Sequence, residues 1–478
     1  MPQFDFTEEE IRNLPQGRLL TMEIEFTRAC NYRCPYCYAA APVELEKELT
    51  PEEIRSAVTQ ARELGARKIV ILGGEPLVYP KLDEMIEFIS GLGMAVEIFT
   101  NGELVTQERA EFFFRHDCRV VVKLNSFRED VHDRMTGRKG SLAIALRTLE
   151  RLQAAGYGKK PGMLCAATVL SSENLEEAPD LWHFLRTRGI DPYFECITPQ
   201  GRMNENPGLL PDSGRVKEIF DKLAAIDKQF GHNWKPQPPL AGQACFRHCY
   251  SCVVHSTGEV TPCVGLDLVI GSIRRQPLGE ILRNSMAIHR LKNYRRYIKS
   301  PCRECEKSDH CYGCRGSAWQ MTGDYLAADP TCWKNQGKEI IVLPTDAKPY
   351  LPHKAPVAMV SEILTVADSG GTVRSDIRPG NVFLAEDGTL DNAALIELAA
   401  LSVAALHGFL TPGRILPGML VEAGHFRVSA PVRTGESVVT TFQTDSDFPP
   451  WHIISFVIDG ISGERKAEGT LKLCVPDE

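Results

Sequence analysis

Three closely spaced cysteines constrain this chain more than any other feature. The stretch Thr27-Arg28-Ala29-Cys30-Asn31-Tyr32-Arg33-Cys34-Pro35-Tyr36-Cys37-Tyr38 sets Cys30, Cys34 and Cys37 in a C-x3-C-x2-C loop. A loop that short brings three thiolates to one centre. They bind three corners of a cubane iron–sulfur cluster and leave the fourth iron without a protein ligand. An open iron is a place for chemistry, whereas a fully ligated cluster mainly moves electrons. The competing readings are a zinc site or three unrelated buried cysteines. A zinc knuckle needs a fourth ligand close by, and the next His or Cys after Cys37 is His116.

The rest of the composition bounds the answer. A chain of 478 residues exceeds one core and predicts two to four domains. Its net charge of −8 argues against nucleic acid as a primary partner. The N-terminal stretch MPQFDFTEEEIRNLPQGRLL is acidic and has no apolar core, unlike a signal peptide. The longest apolar run, Ala393 to Leu410, is interrupted by Glu397 and His407 and is short for a bilayer span. These features predict a cytosolic protein with no membrane partner. Sixteen cysteines, grouped mainly as C-x2-C and C-x3-C, then favour metal or clusters over disulfides. Cys118, Cys165, Cys196 and Cys474 stand alone and read as small buried hydrophobes.

From Leu20 onward, β-rich runs alternate with amphipathic helical stretches. Strands are predicted at Met22–Phe26, Lys68–Leu72, Ala95–Phe99, Val120–Leu124, Leu164–Leu170 and Pro192–Cys196. Helices are predicted between them, as at Pro51–Leu64 after a Thr50 N-cap and at Ser141–Ala155. Six βα units imply an α/β fold, a parallel sheet curled into a partial (β/α)6 barrel. The cysteine loop follows the first strand, at the edge where such enzymes keep their active sites.

With aromatic Tyr36 before its last cysteine, the loop resembles the signature of the radical S-adenosylmethionine (SAM) enzymes, over about residues 17–235. Gly73-Gly74-Glu75-Pro76 at the end of the second strand resembles the family's motif for the SAM amino group. Taken alone, such a glycine pair is also a common strand-ending turn. Thr100-Asn101-Gly102 closes the third strand in the family manner, and Asn125 falls where many relatives contact the ribose. The resemblance therefore implies that Tyr36, Gly73, Gly74, Glu75, Pro76, Asn101 and Asn125 bind the cofactor. Lys123 and Asn125 depart from the usual Ser-x-Asp there. His132 and Asp133 read as structural rather than catalytic.

A Pro-rich stretch around Gly231–Pro239 marks a boundary. The cysteines beyond it resemble a SPASM domain, with two auxiliary [4Fe-4S] clusters, over residues 236–340. By that resemblance Cys302, Cys305, Cys311 and Cys332 hold one cluster. Cys263, Cys314 and two of Cys245, Cys249 and Cys252 hold the other, so nine cysteines compete for eight places. Two zinc ribbons are the alternative. The basic stretch Arg283–Lys299 reads as a solvated helix face, or as a docking face for an acidic carrier protein.

Residues 345–478 read as a buried helix, Asp391–Gly408, followed by strands at Gly418–Ser429, Ser437–Thr444, His452–Ile458 and Gly469–Val475. This α+β pattern, with Leu351-Pro352-His353, resembles the hotdog domain of hydroxyacyl-carrier-protein dehydratases. Glu397 sits where their catalytic Glu stands. No His occurs between His353 and His407, so the usual acid–base partner is absent. A binding or dimerising module, through which the chain forms a homodimer, is therefore preferred over an active dehydratase.

The resemblance implies reductive cleavage of SAM to a 5′-deoxyadenosyl radical, hydrogen abstraction from substrate, and auxiliary clusters that accept electrons or bind substrate. It also implies a flavodoxin- or ferredoxin-like reductant. The hotdog domain points to an acyl, aminoacyl or other carrier-linked substrate. A ribosomal peptide or a tetrapyrrole side chain is the runner-up. A zinc-ribbon scaffold with an acyl-binding tail is the non-enzymatic alternative.

Overall fold

The strand that leads into the cysteine loop also shows how the barrel is filled. In β1 (Thr21–Glu25) every residue is buried, yet the sequence alternates polar and apolar. Met22 and Ile24 turn towards the covering helices, while Thr21 and Glu23 line an internal cavity. β2 (Lys68–Leu72), β3 (Ala95–Thr100), β4 (Arg119–Lys123), β5 (Leu164–Leu170) and β6 (Asp191–Cys196) follow, each parallel to its neighbour, in sheet order 6-5-4-3-2-1. The same period of two recurs around the barrel, with Lys68, Glu97, Arg119, Lys123, Tyr193 and Glu195 facing inward. The computed structural model describes residues 3–43, 47–354, 356–448 and 450–475.

Local chemistry sets the helices between the strands. The helix Pro51–Glu63 starts in a capping box of Thr50 and Glu53, with Pro at its first position. The helix Ser141–Ala155 ends at Gly156, whose φ of 119° suits only glycine. Asp133 accepts hydrogen bonds from the backbone N–H groups of Gly140 and Ser141 at the start of that helix, and buried His132 meets Ser141 Oγ at 2.9 Å.

The cysteine-rich stretch extends the barrel's own sheet. β7 (Val253–Val254) pairs with β1 in parallel, Glu23 opposite Val253. β8 (Glu259–Thr261) and β9 (Gly271–Ser272) continue it antiparallel to give nine strands.

Residue contacts divide the chain into two compact units. The first holds Met1–Lys292, Cys305–Gln320 and Asp329–Lys338; the second holds Asn293–Glu304, Met321–Ala328 and Glu339–Glu478. In the second unit, β10 (Thr345–Asp346), β11 (Glu362–Val366), β12 (Gly370–Asp376), β13 (Met419–Val428), β14 (Ser437–Phe448), β15 (Trp451–Gly460) and β16 (Arg465–Cys474) form a seven-stranded sheet. Its order is 10-11-12-14-15-16-13, with neighbours antiparallel. The helix Asn392–Leu410, capped by Asp391, buries Leu395, Leu398, Leu406 and Phe409. It is long and apolar enough to cross a membrane, and most of it is covered within the protein.

β12 escapes a sequence reading because it opens on two glycines. A Cβ on Gly370 would stand 2.0 Å from the Phe442 carbonyl oxygen, and one on Gly371 2.4 Å from that of Thr365. Close packing inside a sheet, rather than a turn, requires them. Part of the basic stretch is also not solvated. Lys299 is buried and pairs with Asp324 at 2.6 Å.

Candidate active site

The triad loop is held from three sides by backbone contacts. From the β2 end, Gly74 N–H donates to the Thr27 carbonyl at 2.8 Å and Glu75 N–H to that of Ala29 at 2.9 Å. A Cβ on Gly73 would lie 2.3 Å from Thr27 O, and one on Gly74 2.2 Å from Ala29 O. The expected close approach at this glycine pair is thus made by the cysteine loop itself. From below, Arg33 N–H donates to Thr136 O at 3.2 Å, and a Cβ on Gly137 would meet Arg33 O at 2.3 Å. On the third side, Arg202 N–H donates to Cys37 O and Asn206 Nδ2 to Pro35 O. Gly201, Arg202 and Asn206 carry no motif in a single sequence, so nothing there marks them.

Cys30, Cys34 and Cys37 all line one internal cavity of about 680 Å³. Burial pushes the Cys30 thiol up to about 11 and the Cys34 thiol up to about 12, with the neighbouring triad cysteines adding to the effect. Tyr32 N–H donates to Cys30 Sγ at 3.4 Å, the kind of contact that tunes a cluster ligand. Among the described residues no three His, Cys, Asp or Glu side chains gather tightly enough for a single metal ion.

Glu75 is buried and fully engaged. Its carboxylate accepts from Leu77 N–H at 3.1 Å, Thr100 Oγ1 at 2.7 Å and Asn101 N–H at 2.8 Å. Burial nevertheless raises its pKa to about 7. It thus ties the β2 end to the β3 end. Asn101 lines the cavity with Gly73, Gly74, Glu75, Pro76 and Tyr36, and its Nδ2 donates to Asn31 Oδ1 at 2.7 Å.

Asn125, expected at the ribose, is not part of the cavity lining. Its Nδ2 donates to Tyr36 Oη at 2.7 Å and its Oδ1 accepts from Val169 N–H at 3.1 Å. It reaches the site through Tyr36. Lys123, at the end of β4, lines the cavity together with Arg119 and Val121 of the same strand.

The structure also sorts the auxiliary cysteines. Cys245 opens onto the same cavity as the triad. Cys249, Cys263 and Cys314 each lie within electrostatic reach of Cys245, adding to the effect of burial on their thiols. Cys252 is fully buried beside β1, and among charged groups only Glu23 acts on it besides burial. Of the three, Cys252 is the one on which no other auxiliary cysteine acts. Cys305, Cys311 and Cys332 belong to the first unit, where Gly313 N–H donates to Cys311 Sγ at 3.3 Å; Cys302 is buried in the second. Cys196, expected as a lone hydrophobe, instead lines the cavity. Burial, Asp329 and Cys314 hold its thiol protonated.

Several buried polar atoms around the triad lack a protein partner: Tyr32 Oη, Tyr38 Oη, Gln200 Oε1 and Arg202 Nη2. With three thiols at one cavity, these orphaned groups fit a bound cluster and a polar cofactor.

A parallel barrel with a three-cysteine loop at the end of its first strand, joined to a cysteine-rich extension, defines a radical SAM enzyme with auxiliary iron–sulfur sites. The chain belongs to that class. Residues 24–185 match the Radical SAM superfamily, 245–306 the SPASM iron–sulfur cluster-binding domain and 345–448 the ApeP dehydratase family. Its cofactors are SAM and [4Fe-4S] clusters.

Among proteins of known activity, the chain is 28% identical over 342 residues to an AdoMet-dependent heme synthase of Methanosarcina barkeri, covering 66% of this chain and 96% of that protein. It is 25% identical over 339 residues to the PqqA peptide cyclase of Bradyrhizobium diazoefficiens, covering 66% and 86%. In fold it resembles SAM-bound SuiB of Streptococcus suis, with a TM-score of 0.53 at 14% identity, over 66% of this chain and 78% of that one.

In the second unit, Glu397 is half-buried on the helix Asn392–Leu410 and makes no hydrogen bond or ion pair among the described residues. Partial exposure removes the expected penalty of an unpaired buried carboxylate.

Proposed function

We propose that the chain reductively cleaves SAM at the cluster of Cys30, Cys34 and Cys37 and abstracts hydrogen from a charged, amino-acid-like group of a carrier-linked substrate. Bound SAM supplies the 5′-deoxyadenosyl radical; the protein's part is to hold, orient and shield. The observation that carries this reading is the shared cavity, onto which the triad, the Gly73–Pro76 turn and Cys245 all open. An electron leaving the substrate therefore has an auxiliary site within the same enclosure.

The lining supports the choice of substrate. Lys68 and Arg119 are neutralised by Glu97 and Asp5, and Arg247 by Glu23. Lys123 and Glu195 have no ion pair among the described residues, and both face the cavity. An unpaired cation and an unpaired anion suit an aminoacyl group with an acidic side chain, its ammonium meeting Glu195 and its side-chain carboxylate meeting Lys123. A plain alkyl chain would desolvate both without compensation. A carboxylate-bearing tetrapyrrole side chain is the second reading, supported by the likeness to heme synthases over nearly their whole length.

The second unit is assigned to binding and self-association. β13 is an edge strand whose Met419, Leu420 and Val421 are exposed, and exposed Trp451 and Ile453 lie on β15, one strand further in past β16. β13 carries both Glu422 and Arg427, which an antiparallel self-pair can match.

The test is anaerobic. Reduced enzyme with SAM should release 5′-deoxyadenosine, faster when the true substrate is present, and Cys30→Ala should abolish it. Intact clusters without any cleavage would overturn the reading. Pantetheine-linked amino acids and carboxylated tetrapyrroles, offered in parallel, separate the two substrate classes.

A further inference from the structure

Behind the cysteine loop lies a positive charge that the site as described leaves uncompensated. Arg202 stands in the 3-10 turn Gly201–Glu205 just after β6 and is only 7% exposed. Its Nη1 donates to the Cys34 carbonyl at 2.8 Å and its backbone N–H to the Cys37 carbonyl at 3.1 Å. Its Nη2 has no partner, and the guanidinium pairs with no carboxylate among the described residues.

The turn cannot drift from the loop. Gly201 has φ +60°, and a Cβ there would come within 2.4 Å of the carbonyl oxygens of both Cys37 and Tyr38. A guanidinium buried without an anion is strongly disfavoured. Arg202 is not part of the cavity lining, so substrate is not what meets it. It lies within electrostatic reach of the Cys30 thiol. A cubane held by three thiolates is anionic and gains a further negative charge on reduction. That change falls beside Arg202.

We propose that Arg202 is the counter-charge of the cluster held by Cys30, Cys34 and Cys37, a positioning residue that eases the cluster's reduction and does not touch substrate. This rests on the triad holding the cluster. It accounts for the hydrogen bond that ties the guanidinium to the Cys34 carbonyl, and for the unpartnered Nη2. A neutral residue in its place leaves the reduced cluster less stable, and Lys retains the charge with fewer contacts.

The experiment uses the full-length protein, purified anaerobically and reconstituted with iron and sulfide. The cluster signal that changes on SAM addition is titrated against potential by electron paramagnetic resonance. In Arg202→Gln the ratio of reduced to oxidised cluster at the wild-type midpoint should fall about tenfold, equivalent to about 59 mV for a one-electron couple. Arg202→Lys should stay near wild type. Arg202→Met, which keeps the length of the side chain without its charge, should shift in the same direction as Arg202→Gln and decides the matter if that variant loses its cluster. Unchanged potentials in the variants that retain the cluster overturn the proposal. Absence of any SAM-responsive signal in the wild-type protein would instead refute the triad assignment.

Discussion

Replacing Gly74 with Ala should cost this enzyme its SAM chemistry while leaving the auxiliary clusters in place. The added Cβ would stand 2.2 Å from the Ala29 carbonyl oxygen and 2.7 Å from that of Arg28, against 3.4 Å or more for ordinary contact. Backbone on both sides of the contact cannot rotate away, so the loop must retreat by about 1 Å, one residue before Cys30. That shift strains the hydrogen bonds from Gly74 N–H and Glu75 N–H to Thr27 and Ala29. At about 0.5–1.5 kcal/mol each, their loss costs about 1–3 kcal/mol of loop docking. A displacement of that size at a reacting centre typically lowers rate about a hundredfold. Iron analysis and anaerobic 5′-deoxyadenosine release measure both. Iron should fall by about four per chain at most, one cubane's worth, and cleavage by about two orders of magnitude. Wild-type iron with wild-type cleavage in Gly74→Ala would refute the argument that the glycines exist to admit the cysteine loop.

Cys252→Ser should retain full iron content, whereas Cys249→Ser should lose about four irons per chain, checked by metal analysis after anaerobic purification. Burial works against ionisation of Glu25, but the His255 ring at 3.1 Å, Arg28 and the Ser256 N–H hold its pKa down to about 2. A depressed carboxylate contributes stability above its unfolded pKa and loses it as pH falls. Unfolding of the first unit should therefore become easier between about pH 4.5 and 2, and Glu25→Gln should flatten that slope in denaturation followed by circular dichroism. Asp324→Ala leaves Lys299 buried without its carboxylate and should destabilise the second unit by about 3–5 kcal/mol, seen as lost hydrogen-exchange protection around Lys299. Val421→Glu should shift the chain to monomer in sedimentation if β13 carries the dimer.

The sequence by itself determined the chemistry of this protein. Thiolates spaced by a short loop converge wherever that loop goes, so Cys30, Cys34 and Cys37 were legible without a fold. Alternation of β-rich runs with amphipathic helical stretches pointed to the barrel, and Lys68–Leu72 and Leu164–Leu170 fall on the strands expected. Tertiary structure alone decided what depends on contacts between distant segments. Proximity to Cys245 sets Cys249, Cys263 and Cys314 apart from Cys252, and its place at the end of β6 brings Cys196 to the cavity. Asn125 takes its contacts from Tyr36 and Val169, segments far from it in the chain. The pair Gly370–Gly371 takes its reason from the carbonyls of Thr365 and Phe442 that close on it across the sheet. Arg202 has no local pattern at all: its meaning lies in a loop more than a hundred and sixty residues away, and a charge takes its role from what surrounds it in space.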